Sequence, residues 1–175
     1  MSRSRSAPDG PSVLQTLLRW FDSEAGPEPA VTKNEKTVDW LRIVPLAFLH
    51  VGCLGVIWVG WSPVAAITAV FLYLLRMFAI TGFYHRYFSH KSYKTSRGWQ
   101  FVFAVLGNSA VQRGPIWWAA HHRHHHRYAD QKEDIHSPVQ HGFWWSHMGW
   151  FTSRAHFTTM WRYVPDWKKY PELRF

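Results

Sequence analysis

The feature that most constrains the fold is a run of 33 residues, Ile43 to Leu75, without any Asp, Glu, Lys or Arg. A helix needs about 20 apolar residues to cross the hydrocarbon core of a bilayer. Because Ser62-Pro63 interrupts the run, it predicts two membrane spans joined by a tight turn, Ile43 to Trp61 and Val64 to about Phe83. The alternative is a buried helical hairpin in a water-soluble core, which requires fewer uncharged residues than this run contains.

The charges on either side of the run predict the orientation of the spans. Residues 1–42 hold six Lys or Arg and residues 76–175 hold fourteen, whereas the turn holds none. Because basic loops stay on the cytoplasmic side, both ends of the chain are predicted to be cytoplasmic. The formal net charge of +9 then faces the anionic headgroups of the lipid bilayer. No nucleic-acid partner is expected, since the basic residues follow a membrane anchor and not a folded recognition module.

Composition divides the chain into three parts. Residues 1–40, rich in Ser, Pro, Gly and charge, predict a flexible cytoplasmic tail with a short amphipathic helix around Val13 to Phe21. Residues 41–83 are the two-span transmembrane hairpin, and residues 84–175 are a cytoplasmic helical region rich in histidine. Within that region, Gly98 to Val111 predicts an amphipathic segment lying on the membrane. The predicted fold class is all-α, a membrane helical hairpin followed by a cytoplasmic helical region.

Ten of the twelve histidines lie between His85 and His147. If HHRHHH is a helix, three of its histidines share one face, so a pair four residues apart chelates one ion and the third reaches a second ion. The spacing leaves two registers open. His85 and His90 are splayed on a regular helix, so they serve one site only if the helix unwinds between them, or else they address two adjacent metals. The two registers are His122, His125 and His126, or His121, His124 and His125.

Imidazole ligands without thiolates narrow the class of metal site. All-nitrogen sites suit Fe, Zn, Cu or Ni. A structural zinc site is disfavoured because Cys53 is the single cysteine of the chain. At least five candidate imidazoles are more than one tetrahedral ion needs, which favours two ions. A solvated basic helix and an adventitious metal-binding run are the alternatives.

The histidines and their flanks resemble the membrane fatty acid desaturase family, whose members include the stearoyl-CoA Δ9 type. The resemblance rests on three runs, HRYFSHKSYKT, WWAAHHRHHHRYAD and GFWWSHMGW. The form of the second run is that of the bacterial members. The first two match histidine boxes of the family, and the flanks favour the first of the two registers. The resemblance implies a non-haem site with two Fe ions, whose ligands here are His85, His90, His122, His125 and His126.

Such a site is also expected to have one acid that orients an imidazole and two residues that bind substrate. Metal-bound imidazoles are oriented by acceptors on their outer side. Asp130, Glu133 and Asp134 are the nearby acids, and Asp130 is favoured by its position after the second box. The resemblance also implies that Gln112 and Trp118 bind substrate, near the kink of an acyl tunnel.

The resemblance implies O2-dependent insertion of a cis double bond, of the Δ9 type, into a long fatty acyl chain. The expected partners are the bilayer, an acyl-CoA or acyl-lipid substrate, and an electron donor of the ferredoxin or cytochrome b5 type. The expected location is the bacterial inner membrane. A related membrane di-iron hydroxylase or ketolase, and a non-catalytic histidine-rich metal-binding protein, remain the alternatives.

Two departures from the family pattern qualify these expectations. Animal acyl-CoA members carry an Arg-Asp pair where this chain has Ala120 and His121, so the residues do not support a CoA thioester. A third histidine box and a second pair of spans are expected downstream of residue 175. The chain is therefore expected to be an N-terminal part that makes no double bonds by itself.

Overall fold

Helices form the whole regular structure of the part of the chain that the computed structural model describes. That part is residues 36–174, with Leu14, Leu17, Leu18, Asp22 and Glu24. It contains no β-strand, only an isolated antiparallel bridge between Val38 and Ser153. The predicted all-α class is therefore confirmed. The α-helices are α1 (Trp40–Cys53), α2 (Val56–Val59), α3 (Pro63–Phe78), α4 (Arg97–Asn108), α5 (Pro115–Tyr128), α6 (Pro138–His141) and α7 (Trp150–Thr152).

Two π-helices and four 3₁₀ turns complete the described part. The first π-helix, Ala79–Ser89, continues α3 without a break, and the second is Trp145–Gly149. The 3₁₀ turns follow α7, and they are Arg154–His156, Trp161–Tyr163, Pro165–Trp167 and Pro171–Leu173. The predicted amphipathic helix around Val13 to Phe21 lies outside the described residues, apart from three leucines that are helical and exposed.

The predicted hairpin corresponds to two apolar helical runs of unequal length. Pro63–Ser89 is 27 residues long, enough in length and composition to cross a membrane. It begins where Ser62-Pro63 predicted, since the Ser62 hydroxyl accepts the Ala65 N–H at 3.4 Å. Ile43–Val59 is a shorter apolar run, interrupted at Leu54 and Gly55. One helix of the described part therefore has spanning length, and it extends past the predicted end near Phe83.

The apolar side chains of both runs face outward. Phe48, Trp58 and Ile67 are 75%, 80% and 71% exposed. Contiguous apolar surface of this extent is rare on a soluble monomer and marks a membrane or interaction surface. The surface of these helices is therefore suited to lipid.

The buried core is formed by residues that follow residue 79 in the sequence, after the exposed apolar helices. The π-helix, α4, α5 and the C-terminal 3₁₀ turns meet there around Tyr84, Phe88, Ala120 and Trp167. Tyr84 packs against Gly107 so closely that a Cβ at that position would lie 2.0 Å from its ring. The Tyr84 hydroxyl donates to the Arg113 carbonyl at 3.0 Å. This packing fixes the π-helix relative to α4 and α5.

Helix α4 shows the amphipathic character expected of the segment Gly98 to Val111. Its outer face exposes Trp99, Phe101 and Val105, while Ala104 and Gly107 are buried. The Ser96 hydroxyl caps the helix by accepting the Trp99 N–H at 3.3 Å.

Candidate metal centre

Four imidazoles converge between the π-helix and α5. Their ligand nitrogens all lie within 4.8 Å of one another, and we call this group the four-histidine cluster: His85, His90, His122 and His126. Ring centroids are 4.6 Å apart for His85 and His90 and 4.5 Å apart for His122 and His126. The Nε2 atoms of His90 and His122 approach to 3.2 Å across the two helices. Four of the five predicted ligands thus come together.

Helix geometry explains how each pair forms. His122 and His126 are four residues apart on α5, so they share a face. His85 and His90 are five residues apart, and a π-helix closes i→i+5 hydrogen bonds. The His90 N–H donates to the His85 carbonyl at 3.1 Å, which places the two residues one π-helical turn apart. This π-helical turn is the unwinding that one of the two interpretations of His85 and His90 needed.

Two members of the four-histidine cluster, His90 and His122, favour the neutral imidazole. Burial, followed by the neighbouring imidazoles of His126, His85 and His90, lowers the pKa of His122 to about 3. The pKa of His90 is lowered as well, first by burial and then by His85 and His126. A neutral imidazole offers a lone pair to a cation. Among the residues described, the cluster contains four nitrogen donors and no carboxylate, a set that suits Fe, Zn, Cu or Ni.

The fifth predicted ligand, His125, belongs to a second group. We call this group the Asp134 group: His125, Asp134 and His136. The His125 Nδ1 lies 2.9 Å from the Asp134 carboxylate, and the His125 and His136 ring centroids are 4.4 Å apart. Because a carboxylate only accepts, Nδ1 carries the proton and Nε2 keeps the free lone pair. His125 remains adjacent to the four-histidine cluster, with its ring centroid 5.8 Å from that of His126.

Asp134 occupies the place beside the imidazoles at which Asp130 was expected. Asp134 is fully buried and also accepts the backbone N–H groups of Asp130 and His136, at 3.0 and 3.3 Å. Burial raises its pKa, but the hydrogen bonds from His125 and these two amides outweigh burial, so the net pKa is lowered. The Asp130 carboxylate instead accepts the Ser137 hydroxyl at 2.7 Å. A turn, with Asp130 at φ +60°, carries the chain to Asp134.

Gln112 and Trp118 meet beside the four-histidine cluster. The Trp118 indole N–H donates to the Gln112 side-chain oxygen at 3.1 Å. The Trp118 ring stacks on His122 with a centroid distance of 4.7 Å and an interplanar angle of 23°. The structure therefore places Trp118 against His122 of the four-histidine cluster, and it joins Gln112 to Trp118 by a hydrogen bond.

The two histidines that belong to the other register alone, His121 and His124, lie outside both groups. His121 is buried, its Nδ1 lies 2.9 Å from the Trp117 carbonyl, and its ring packs on the Trp117 indole. His124 is buried between Tyr128 and Tyr163, with ring centroids 5.0 and 5.1 Å away. Burial lowers the pKa of both histidines. They therefore stay neutral inside the core.

The chain matches the fatty acid desaturase family over residues 58–172, a stretch that contains both histidine groups. This chain belongs to the fatty acid desaturase family, as its histidine runs indicated. No solved structure matches it.

Individual relatives agree with this assignment. The chain is 33% identical to an sn-2 palmitoyl-lipid 9-desaturase from Nostoc sp. (strain 36), over 79% of this chain and 50% of that protein. It is 31% identical to an acyl-CoA 5-desaturase from Anemone leveillei, over 79% of this chain and 45% of that protein. It is 29% identical to human (Homo sapiens) stearoyl-CoA desaturase 5, over 85% of this chain and 46% of that protein. The chain spans about half the length of these curated relatives.

Proposed function

We propose that this protein takes part in O2-dependent desaturation of a long fatty acyl chain, placing a cis double bond at carbon 9 through a site with two iron ions. The four-histidine cluster carries the proposal, since four imidazole nitrogen ligands from two segments of the chain lie within 4.8 Å of one another. Family membership supports the type of reaction. The name of the Nostoc relative, a 9-desaturase, supports the bond position.

The donor set fits iron. His85, His90, His122 and His126 offer ligand nitrogens directly, and His125 offers Nε2 because Asp134 holds its other nitrogen. When bound, iron supplies the oxidising chemistry needed to remove two hydrogens from an unactivated pair of methylenes, which no acid or base of the protein can do. The role of the protein is to keep the imidazoles in the neutral form and in a fixed orientation.

The acyl chain passes Trp118. The indole lies flat against His122, and its hydrogen bond to Gln112 fixes the rotation of the ring. A half-buried aromatic surface with its single polar group already paired presents an apolar wall to a hydrocarbon chain. Trp118 and Gln112 therefore select which methylenes approach the metal ligands.

The outward-facing apolar helices support a place in the lipid bilayer. The location is the bacterial inner membrane with both ends of the chain cytoplasmic, as the distribution of Lys and Arg predicts. The substrate is an acyl-lipid or acyl-CoA, and electrons come from a donor of the ferredoxin or cytochrome b5 type.

Lipid analysis tests the proposal. The coding sequence of this chain, extended by the coding sequence downstream of it, is expressed in a desaturase-deficient bacterium together with a ferredoxin and its reductase, and the position of any double bond is read by mass spectrometry. We expect new monounsaturated chains with the double bond at carbon 9 from the extended sequence, and none from the 175-residue chain by itself. In the extended sequence we expect His122→Ala to abolish them and His147→Ala to leave them unchanged, since His147 is exposed and stacks on Phe143.

Two results would overturn the proposal. Hydroxylated or ketone products in place of alkenes would move the protein to a related membrane hydroxylase or ketolase. Undiminished double bonds in the His122→Ala strain would show that the four-histidine cluster is not the site of the reaction.

A further inference from the structure

Three separate segments of the chain meet at the side chain of Arg123. Its guanidinium reaches the Phe88 and Ser89 carbonyls at the end of the π-helix, at 2.9 and 2.8 Å. It also reaches the Tyr163 carbonyl at 2.9 Å and both oxygens of Asp166, at 2.7 and 3.2 Å. Arg123 lies on α5, so one side chain joins the π-helix, α5 and the C-terminal 3₁₀ turns.

These bonds use every donor that an arginine has. A guanidinium carries five N–H groups in a fixed planar fork. Nε donates once, and the two terminal nitrogens each donate to one backbone carbonyl and one oxygen of Asp166. Lys91 holds Asp166 from the other side, with its ammonium 2.6 Å from the carboxylate. A lysine at position 123 has three donors around one point and cannot span the same set of acceptors.

The acceptors matter because of their position in the π-helix. Carbonyls in the last turn of a helix have no partner inside the helix. Phe88 and Ser89 are such residues, and the next residue is His90. At the other end of the bridge, Arg123 directly follows His122. The guanidinium therefore joins the backbone next to His90 to the backbone next to His122. The Nε2 atoms of these two metal-ligand candidates lie 3.2 Å apart.

We propose that Arg123 is the positioning residue that sets the separation between the two halves of the four-histidine cluster, with Asp166 fixing the plane of its guanidinium. The inference rests on the proposed metal site, and it adds a residue that touches neither metal nor substrate. Without the bridge, the end of the π-helix shifts relative to α5. His90 then no longer faces His122.

Cobalt(II) titration of the purified 175-residue chain in detergent tests this inference. The variants are Arg123→Lys and the matched control Arg127→Lys, whose arginine lies exposed on α5, four residues further on. Circular dichroism first establishes a temperature at which each metal-free variant is folded. We expect Arg123→Lys to weaken cobalt affinity about tenfold or more, the usual effect of losing an outer support of a metal ligand. We also expect its visible cobalt spectrum to change, and Arg127→Lys to behave as the wild type.

The outcomes separate the inference from the proposed function. If folded Arg123→Lys binds cobalt with wild-type affinity and spectrum, Arg123 only stabilises the fold and the inference is wrong. If the wild-type chain itself binds no cobalt, the metal site fails and the inference falls with it. If Arg123→Lys does not fold, Asp166→Asn replaces it, because it keeps all five donors and removes the carboxylate that orients them. Wild-type affinity and spectrum in Asp166→Asn would then overturn the inference.

Discussion

The two histidine groups adjoin each other at α5, which contributes His122 and His126 to one group and His125 to the other, but they are constructed differently. The four-histidine cluster contains only imidazoles, and their proximity helps to keep His122 neutral. The Asp134 group is built around a fully buried carboxylate that accepts three N–H groups. The cluster therefore has free lone pairs and no negative charge, whereas the carboxylate of the Asp134 group is already satisfied by protein donors.

This difference indicates two different roles. The four-histidine cluster offers imidazole nitrogens and no carboxylate, so its imidazoles are suited to bind metal directly. The Asp134 group satisfies its own charge, so Asp134 is suited to hold His125 with Nε2 available. An imidazole that ligates metal commonly donates its other N–H to a carboxylate in this way. His125 is thus the link between the two groups.

The largest effect is expected from removing a chelating pair of the four-histidine cluster. The double variant His122→Ala, His126→Ala loses both members of the cluster that lie on α5, so cobalt affinity of the chain falls by more than about a hundredfold. Isothermal titration measures this loss. His147→Ala is the control and keeps wild-type affinity. Retention of affinity in the double variant would mean that the Asp134 group, and not the cluster, binds the metal.

A smaller loss is expected from the carboxylate of the Asp134 group. Asp134→Asn puts an amide NH₂ where one or two N–H groups now donate, so His125 loses its fixed orientation. We expect metal affinity to fall about tenfold to a hundredfold, within the range for outer supports of a ligand. The matched variant Asp130→Asn leaves affinity unchanged, because Asp130 contacts Ser137 and not an imidazole. Equal losses in the two variants would contradict the role given to Asp134.

Low pH is expected to lower the free energy of unfolding of the chain through the buried side chain of His156. Burial, followed by His124, His136, Arg113 and His141, lowers its pKa to about 4. An unfolded histidine titrates near 6.5, so below that pH the unfolded chain binds the proton first. Stability is therefore lost as pH falls from about 6.5 towards 4.

We expect this loss to reach about 1 to 2 kcal/mol between pH 7 and 5 for His156 alone. Denaturant unfolding of the metal-free chain at several pH values measures it. In His156→Gln the pH dependence should decrease by that amount. An unchanged pH dependence would show that His156 does not contribute.

The smallest effect is expected at Trp118, whose ring lies beside the four-histidine cluster. Trp118→Phe keeps an aromatic ring against His122 but leaves the Gln112 oxygen without the indole N–H. The cost to the free energy of unfolding is about 1 kcal/mol, as for one hydrogen bond. We expect metal affinity to stay at the wild-type value while the distribution of double-bond positions broadens. A product distribution identical to that of the wild type would remove Trp118 from the acyl path.

Much of this arrangement could be predicted from local sequence rules. The uncharged run predicted apolar helices, and Ser62-Pro63 predicted where the longer one begins. The four-residue spacing of His122 and His126 predicted a shared face, because it depends only on α-helix geometry. The amphipathic character of the segment at Gly98 to Val111 was predicted as well, since the segment is too polar and too short to span a membrane.

The rest depends on tertiary structure. His85 and His90 pair through a π-helix, and nothing in the residues themselves separates i→i+5 from i→i+4 bonding. Asp130 is closer in sequence to the histidines than Asp134, but a positive φ at Asp130 turns the chain so that Asp134 reaches His125. The link through Arg123 joins residues 34 to 43 positions apart, beyond the reach of any local pattern.

X-ray absorption at the iron edge of the iron-loaded chain tests the central claim most directly, namely that the four-histidine cluster ligates metal. The account predicts nearest neighbours that are mainly nitrogen, with the outer scattering typical of imidazole rings, and the loss of this signal in the double variant His122→Ala, His126→Ala. A coordination sphere of oxygen atoms alone, or an imidazole signal unchanged in the double variant, would contradict it.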